Sequence, residues 1–437
     1  MNCCKHLHSR VLSLVTNRVW RSAAESAEAI AGRLVHDRAS RKRWLVVLAS
    51  LVPLAGPRGM LPERTALAAG HPVEAPRSRH VTRVYYVAPN GSDAGRGSSS
   101  APFRSIQQAA DVARAGDTVI VRPGRYTGGD RLVSLGTSGK TGAWITFRSE
   151  ISWKAVLDGQ GDRSLVAWYF GPGVGYIRIQ GFDIRDLHEH GFDFYGGAVH
   201  DVLVAGNHVH HIGRNCTDTQ NGRTGAAVGA NAERVTFDGN VWDDIGRLAP
   251  GELGCDPSNT YYQNHDHGIY VADANQITII NNVFYSFARG WAIHRYFSRG
   301  TSSHGLLIAN NTFTGANPYR AGQIILATAT TDLRIENNIF VSPQTAALWF
   351  EDLAFPDGVV RYNMVNPGAL TRGRPTGIEF SHNWEGVDPR FVSRLDVRLK
   401  PGSPAIDVGS NLPEVAHDAL GVIRPRGRAV DLGAYER

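Results

Sequence analysis

Eight stretches of this chain finish an alternating apolar run in the same way, and no other feature limits the fold as much. They are IRIQGFDI (Ile177–Ile184), VLVAGNHV (Val202–Val209), VTFDGNVW (Val235–Trp242), ITIINNVF (Ile277–Phe284), LLIANNTF (Leu306–Phe313), LRIENNIF (Leu333–Phe340), GVVRYNMV (Gly358–Val365) and, more loosely, IEFSHNW (Ile378–Trp384). The shared template is apolar, any, apolar, any, any, Asn, apolar. Alternation marks a strand, because side chains leave a strand on opposite faces in turn.

The Asn positions are 207, 240, 282, 311, 338, 363 and 383, and Phe182 fills the same column one unit earlier. Self-similarity at roughly 20–50 residues marks a solenoid. One such unit cannot bury its apolar side alone, so units must stack and share a core. The units hold strands and turns with no helical stretch, which favours a parallel β-helix over helical or leucine-rich repeats. The uneven spacing means a constant coil with loops of varying length set into its turns. Asn stacked at a turn can bond the coils on either side of it, so the column reads as an internal ladder rather than a ligand site. Ile277, Ile279, Val283, Leu306, Ile308, Leu333 and Ile335 are the expected core.

The two ends differ in composition. Of 46 Lys+Arg and 40 Asp+Glu, the first 70 residues hold 11 and 4, leaving 35 and 36 for the rest. The basic character therefore belongs to the N-terminal segment, and the near-neutral body argues against nucleic acid as a partner. Within residues 1–68, Arg41-Lys42-Arg43 precedes the apolar run Trp44–Leu54, and Ala66-Leu67-Ala68 offers a small-residue cleavage site. That order is one of an export leader. The run is short for a stable membrane span, although an N-terminal anchor is the competing reading. SRKRWL (Ser40–Leu45) is similar to a twin-arginine export signal without its adjacent arginines. Residues 69–83 read as a linker.

The segment Tyr85–Gly128 then gives a strand at Tyr85–Val87, a Gly/Ser loop, and helical spacing over Ser105–Ala113 with Ser105 as its cap. Thr118–Val121 begins the coils. This segment strongly resembles the opening of secreted bacterial right-handed β-helix proteins of the pectate-lyase-like superfamily, in which a short helix plugs the N-terminal end. Separately, Asp388-Pro389-Arg390-Phe391, LKPGSPAIDVG (Leu399–Gly409) and DLGAYE (Asp431–Glu436) resemble the C-terminal region of the same group. The resemblance implies an all-β, right-handed parallel β-helix over residues 84–398, with a short N-terminal capping helix. It also implies an irregular cap, residues 399–437, that closes the open end. Such a fold hosts lyases, hydrolases, epimerases and binding proteins alike.

Chemistry is expected on a second, shorter strand that begins at a Gly in successive coils: His190-Gly191, Thr224-Gly225, His267-Gly268, Arg289-Gly290 and Ala321-Gly322. Aligned on these glycines, the pre-Gly residues and those two past the Gly face outward. The predicted patch is His190, Asp193, Asp266, His267, Tyr270, Arg289, His294 and Arg295, walled by the insertions Gly213–Gly225 and Gly246–Asp266. An Arg can neutralise a uronate and so acidify its α proton, and His or Tyr can take or return a proton. Here Arg289 or Arg295 holds the carboxylate and His267 abstracts the proton. Asp266 or Asp193 orients His267, and His294 or Tyr270 protonates the leaving oxygen. His190 and Asp193 bind substrate. The body retains only Lys140, Lys154 and Lys400, which disfavours a lysine base.

The reading is therefore an exported polysaccharide lyase for acidic, uronate-containing glycans, monomeric and without nucleic-acid partner. The alternatives are an epimerase or hydrolase on the same fold, or a glycan-binding or adhesion protein. Calcium is a candidate cofactor without a recognised loop. His188-Glu189-His190 and the triplet His208, His210 and His211 have metal-ligand residue types. In a continuing strand, however, His210 and His211 point to opposite faces. Cys216 and Cys255, one in each long insertion, are expected to pair, since exported proteins mature where disulfides persist.

Overall fold

The computed structural model describes residues 81–437 except 217–221, 249, 257, 259–264, 286–289, 299–302, 316–321 and 353. The expected leader (1–68) and most of the expected linker lie outside the described residues. Three parallel sheets of eleven, ten and nine strands run the length of the body. Within each, a strand pairs with its counterpart one coil away, so the chain is a right-handed parallel β-helix. The first strand, Val84–Val87, already pairs with Thr118–Val121, so the stack starts one coil before Thr118.

The repeat is the eleven-stranded sheet followed by the turn into the ten-stranded one. Ile277, Ile279, Leu306, Ile308, Leu333 and Ile335 point inward and are buried, as is Val283. In the turn, each Asn of the column donates its Nδ2 to the Oδ1 of the next. The links run from Asn207 through Asn240, Asn282, Asn311, Asn338 and Asn363 to Asn383 at 2.9–3.0 Å. Each of these oxygens also accepts the backbone N–H of the preceding Asn. Phe182, which has no amide to offer, gives its N–H to Asn207 Oδ1 at 2.9 Å. Two residues further on, aromatic rings stack inside the coil: Trp242, Phe284, Phe313 and Phe340.

The helix is Ile106–Val112, with Ser105 Oγ accepting the Gln108 N–H and Ile106, Ala109 and Ala110 buried. The C-terminal tail differs from its expected place. It runs back along the flank of the coils instead of covering the last one. Leu412 and Val415 pack on Ile280 and Leu307, while Val397 and Ala434 pack on Val283. Asn310 donates to Asp431 O, and Asn337 donates to Ser410 O. In the last coil, Ile378 and Phe380 stay half-exposed. The physical reason is the pair of asparagines in units such as ITIINNVF. The second builds the ladder, and the first, at positive φ, turns its amide outward as a dock for the tail.

The acidic residues of the tail are structural. Asp418 accepts three backbone N–H groups, from Leu420, Val422 and Glu436. Arg424 is buried against Glu436 at 2.6 Å.

Candidate active site

The nine-stranded sheet carries the predicted residues. Strands His190–Asp193, Thr224–Val228, His267–Ala272 and Trp291–Tyr296 lie side by side in that order. One column holds His190, Thr224, His267 and Trp291; the next holds Asp193, Ala227, Tyr270 and His294. The alignment on glycines holds for the first three coils and slips by two residues at the fourth. Gly290 is not a strand residue like Gly268. It sits at φ +45°, so close to the Asp266 carbonyl that a Cβ would fall 1.0 Å from that oxygen. It therefore turns the chain before the strand begins, and His294 lands directly beside Tyr270.

The slip corrects several roles. Arg295 is level with Val271 and Leu326 and points into the coil, fully buried. Its Nε donates to Ser303 Oγ and its Nη1 to Ala274 O, and burial pulls its pKa down to about 10. It cannot hold a substrate carboxylate. Arg289 lies outside the described residues. Asp266 is also fully buried and accepts the Arg223 and Arg247 N–H groups at 2.9 and 2.8 Å. Its carboxyl therefore ties the ends of the two insertions together, and burial pushes its pKa up to about 6. The pre-Gly column is not exposed either, since Thr224 and His267 are buried.

His267 has both ring nitrogens engaged. Nδ1 accepts the Trp291 N–H at 3.3 Å, which leaves the proton on Nε2. Nε2 lies 3.0 Å from His294 Nδ1 and donates to it. The chain of donors then places the His294 proton on its Nε2, an atom sheltered from water with no bonding partner. Burial lowers the His294 pKa to about 3, so the imidazole stays neutral and presents an N–H. His267 is thus bonded through both ring nitrogens within the fold, and His294 Nε2 is left without a protein partner. Tyr270 stacks on His267 with ring centres 5.3 Å apart and lies 5.1 Å from His294. Burial raises its phenol pKa, which keeps it protonated.

His190 and Asp193 share one strand, two coils from His267 and Tyr270. His190 Nδ1 meets Thr224 Oγ1 at 2.9 Å, and burial, helped by the Arg223 charge, lowers its pKa to about 4. Asp193 accepts the Tyr195 N–H at 2.8 Å, and burial raises its pKa. Between Asp193 and Tyr270 only Ala227 intervenes, leaving a notch ~10 Å long.

Sequence reasoning passes over the aromatic residues of this face. Tyr195 and Tyr296 are 48% and 39% exposed. Tyr169 is level with Asp193, and Trp349 continues the His294 column through Ile325. Arg131 lies 3.4 Å over the Tyr169 ring, and Arg372 lies 4.9 Å over Trp349. Six coil spacings separate Tyr169 from Trp349, a strip of ~29 Å. Outward parity from Asp193 to Tyr195, and from His294 to Tyr296, is the signal that finds two of them.

The disulfide Cys216–Cys255 is present, with Cα atoms 5.4 Å apart. His188 is not disposed as a metal ligand: Arg223 Nη2 and Asn215 Nδ2 contact its two nitrogens at 2.9 and 3.2 Å. Among the described residues no group of three convergent His, Cys, Asp or Glu donors lies on this sheet.

Comparison with known proteins matches this geometry at the level of fold. The model "Pel9A-like, right handed beta helix region" matches residues 85–241, and "Right handed beta helix region" matches residues 172–383. The fold is thus a right-handed β-helix. The chain is 30% identical over 138 residues (29% of its length and 28% of the relative's) to the uncharacterized protein YwoF of Bacillus subtilis. It is 37% identical over 75 residues to pectate lyase PEL9 of Emericella nidulans (17% and 18%), and 35% identical over 81 residues to pectate lyase L of Dickeya chrysanthemi (17% and 19%). The chain thus spans less than a third of the length of these curated relatives. The crystal structure of pectate lyase Pel9A superimposes with a TM-score of 0.45 at 16% identity, over 82% of this chain and 98% of that one.

Proposed function

We propose that this protein is an exported polysaccharide lyase that cleaves uronate-containing glycans by β-elimination along the outer face of the nine-stranded sheet. The observation that carries it is the proton order Trp291 N–H, His267, His294, which leaves a neutral imidazole N–H without a protein partner beside a protonated Tyr270. A neutral imidazole donor is suited to an enolate-like oxygen, because it stabilises developing charge without first giving up its proton. His294 would donate to the uronate carboxylate as the α proton leaves.

His265 would take that proton; it is exposed and near enough for its charge to bear on His294. The enediolate electrons would then form the C=C bond as the glycosidic C–O bond breaks. Tyr270 would protonate the departing oxygen. The aromatic strip would bind the apolar faces of neighbouring sugars, and Arg131 and Arg372 would meet their carboxylates.

A second reading, glycan binding without cleavage, draws on the same strip and its stacked arginines. Incubation with polygalacturonate, alginate and other uronate polymers separates the two. Cleavage gives ultraviolet absorbance from the unsaturated product, lost in His294→Ala. Retention on the polymer without new absorbance would select the binding reading.

A further inference from the structure

A different cluster lies on the outer face of the ten-stranded sheet. The strand His208–Ile212 runs between Asp183–Leu187 and Val241–Ile245. Its register sets His208 beside Asp183, and His210 beside Asp243. His211 would face away in a regular strand, but its φ of +53° swings it back, and its Nδ1 meets His210 Nδ1 at 2.7 Å. His208 and His210 stack with ring centres 4.1 Å apart.

The hydrogen bonds of this cluster do not close. His210 Nε2 faces Asp183 Oδ1 at 3.2 Å, the two Nδ1 atoms face each other, and His211 Nε2 faces Asp244 Oδ2 at 3.3 Å. Three contacts need three N–H groups, and two neutral imidazoles supply two. With both rings neutral, one lone pair is aimed at another wherever the two protons sit; a third proton on the pair or a metal ion closes the set. An added cation removes the conflict. Arg185, 3.8 Å from Asp183, and Arg214, 3.3 Å from Asp244, meet the outer carboxylates but not the imidazole pair.

We infer that this cluster is a site for a borderline divalent metal ion of the zinc type, held by Asp183, His208 and His210. One donor atom from each of the three lies within 4.8 Å of the others, and the same holds for His210, His211 and Asp243. Two imidazoles and one carboxylate form a donor set of zinc type, whereas calcium takes six to eight oxygens. Asp243 adds the outer partner such a site uses: His208 Nε2 donates to its Oδ2 at 2.7 Å, which fixes that ring and leaves Nδ1 for the ion. On the other side the His208 ring packs on Trp153, 5.1 Å away, whose own position is held by Nε1 donating to Gly206 O. Trp153, His208, Asp243, Tyr285 and Tyr435 line a groove of 960 Å³ between the sheet and the C-terminal tail, so the ion would have a path to solvent.

The test is calorimetric titration of the full-length protein, stripped with EDTA, with Zn²⁺ alone and separately with Ca²⁺. One equivalent of Zn²⁺ should bind, with excess Ca²⁺ failing to displace it. His210→Ala should abolish the binding, and Asp243→Asn should weaken it ~10–100-fold. Should His210→Ala lose its circular dichroism signature, the half-exposed His211 carries the test. His211→Asn, which tolerates the left-handed backbone, should also weaken binding, while the exposed His304→Ala should not change it. No Zn²⁺ heat in the wild-type protein, or the same affinity in His211→Asn and Asp243→Asn as in wild type, would overturn the site and leave a hydrogen-bonded surface only.

Discussion

The Asn column and the outward column of the nine-stranded sheet climb the same solenoid by opposite rules. The first repeats one residue through seven coils, fully buried from Asn207 to Asn363, with each amide closed by the next. The second has no common residue: Tyr169, Asp193, Ala227, Tyr270, His294, Ile325 and Trp349 follow one another in register. Uniformity suits a column whose only task is to satisfy itself. On the proposed function, a face that treats successive sugars, and one bond among them, differently needs variety at each coil. The candidate chemistry therefore sits where the repeat fails.

Breaking the uniform column should have the largest effect. Asn282 Oδ1 accepts from the Asn240 amide, Asn240 Nδ2 and Trp242 Nε1, and its Nδ2 donates to Phe237 O, Ile280 O and Asn311 Oδ1. Asn282→Ala leaves several buried groups without partners at ~1–3 kcal/mol each, so a loss of about 4 kcal/mol or more is expected in urea denaturation. A loss below ~1 kcal/mol would mean that the ladder is replaceable by water or neighbours.

Next comes the link between the two insertions. Cys255→Ser opens a link across 39 residues, and loop entropy puts its value at about 3–4 kcal/mol. Thermal denaturation of the variant against the wild type measures this. An unchanged midpoint would show the insertions to be energetically separate from the coils.

Third is the reacting face itself. If a uronate polymer is cleaved, His294→Ala should lower turnover ~100-fold, or about 2.7 kcal/mol, while unfolding stays cooperative. His267→Gln should be milder and should act on turnover more than on KM, since it only sets the His294 tautomer. Equal losses in both variants would return the proton chemistry to His267.

The titration of the face gives a smaller effect, absent from the Asn column. His294 and His190 have folded pKa values of about 3 and about 4, below the usual imidazole value near 6.5. Between those limits the unfolded chain binds protons that the folded chain refuses. Their stabilisation is therefore complete above about 6.5 and declines as pH falls. Asp266, raised to about 6, acts in the opposite sense between about 4 and 6 and offsets part of the decline. The melting temperature should fall from pH 7 to 4, with a shallower slope in His294→Ala. An identical slope would place His294 in water. Smallest should be Tyr195→Ala on the exposed strip, with ~10-fold weaker retention on polymer, or about 1.4 kcal/mol.

How much of this is legible in the sequence follows from which groups are bonded to near neighbours in the repeat. The core residues and the Asn ladder are, because one-coil pairing depends only on period and alternation. So is the Ser105 cap, a contact over three residues. The candidate site is legible only by region. His190, His267 and Tyr270 fall in the columns their glycines assign. Arg295 does not, because Gly290 turns against the Asp266 carbonyl, a contact that no spacing reveals. His211 joins His210 for a similar reason, since one left-handed φ cancels strand parity.

The sequence by itself determined the coil, its core and the column that stitches it, because those are set by a local period repeated many times. Only the tertiary structure decided which histidine nitrogen is left without a protein partner, that Asp266 clamps the insertions, that Arg295 is buried, and that the tail covers a flank rather than an end. Each of these depends on contacts between parts of the chain that the period does not relate.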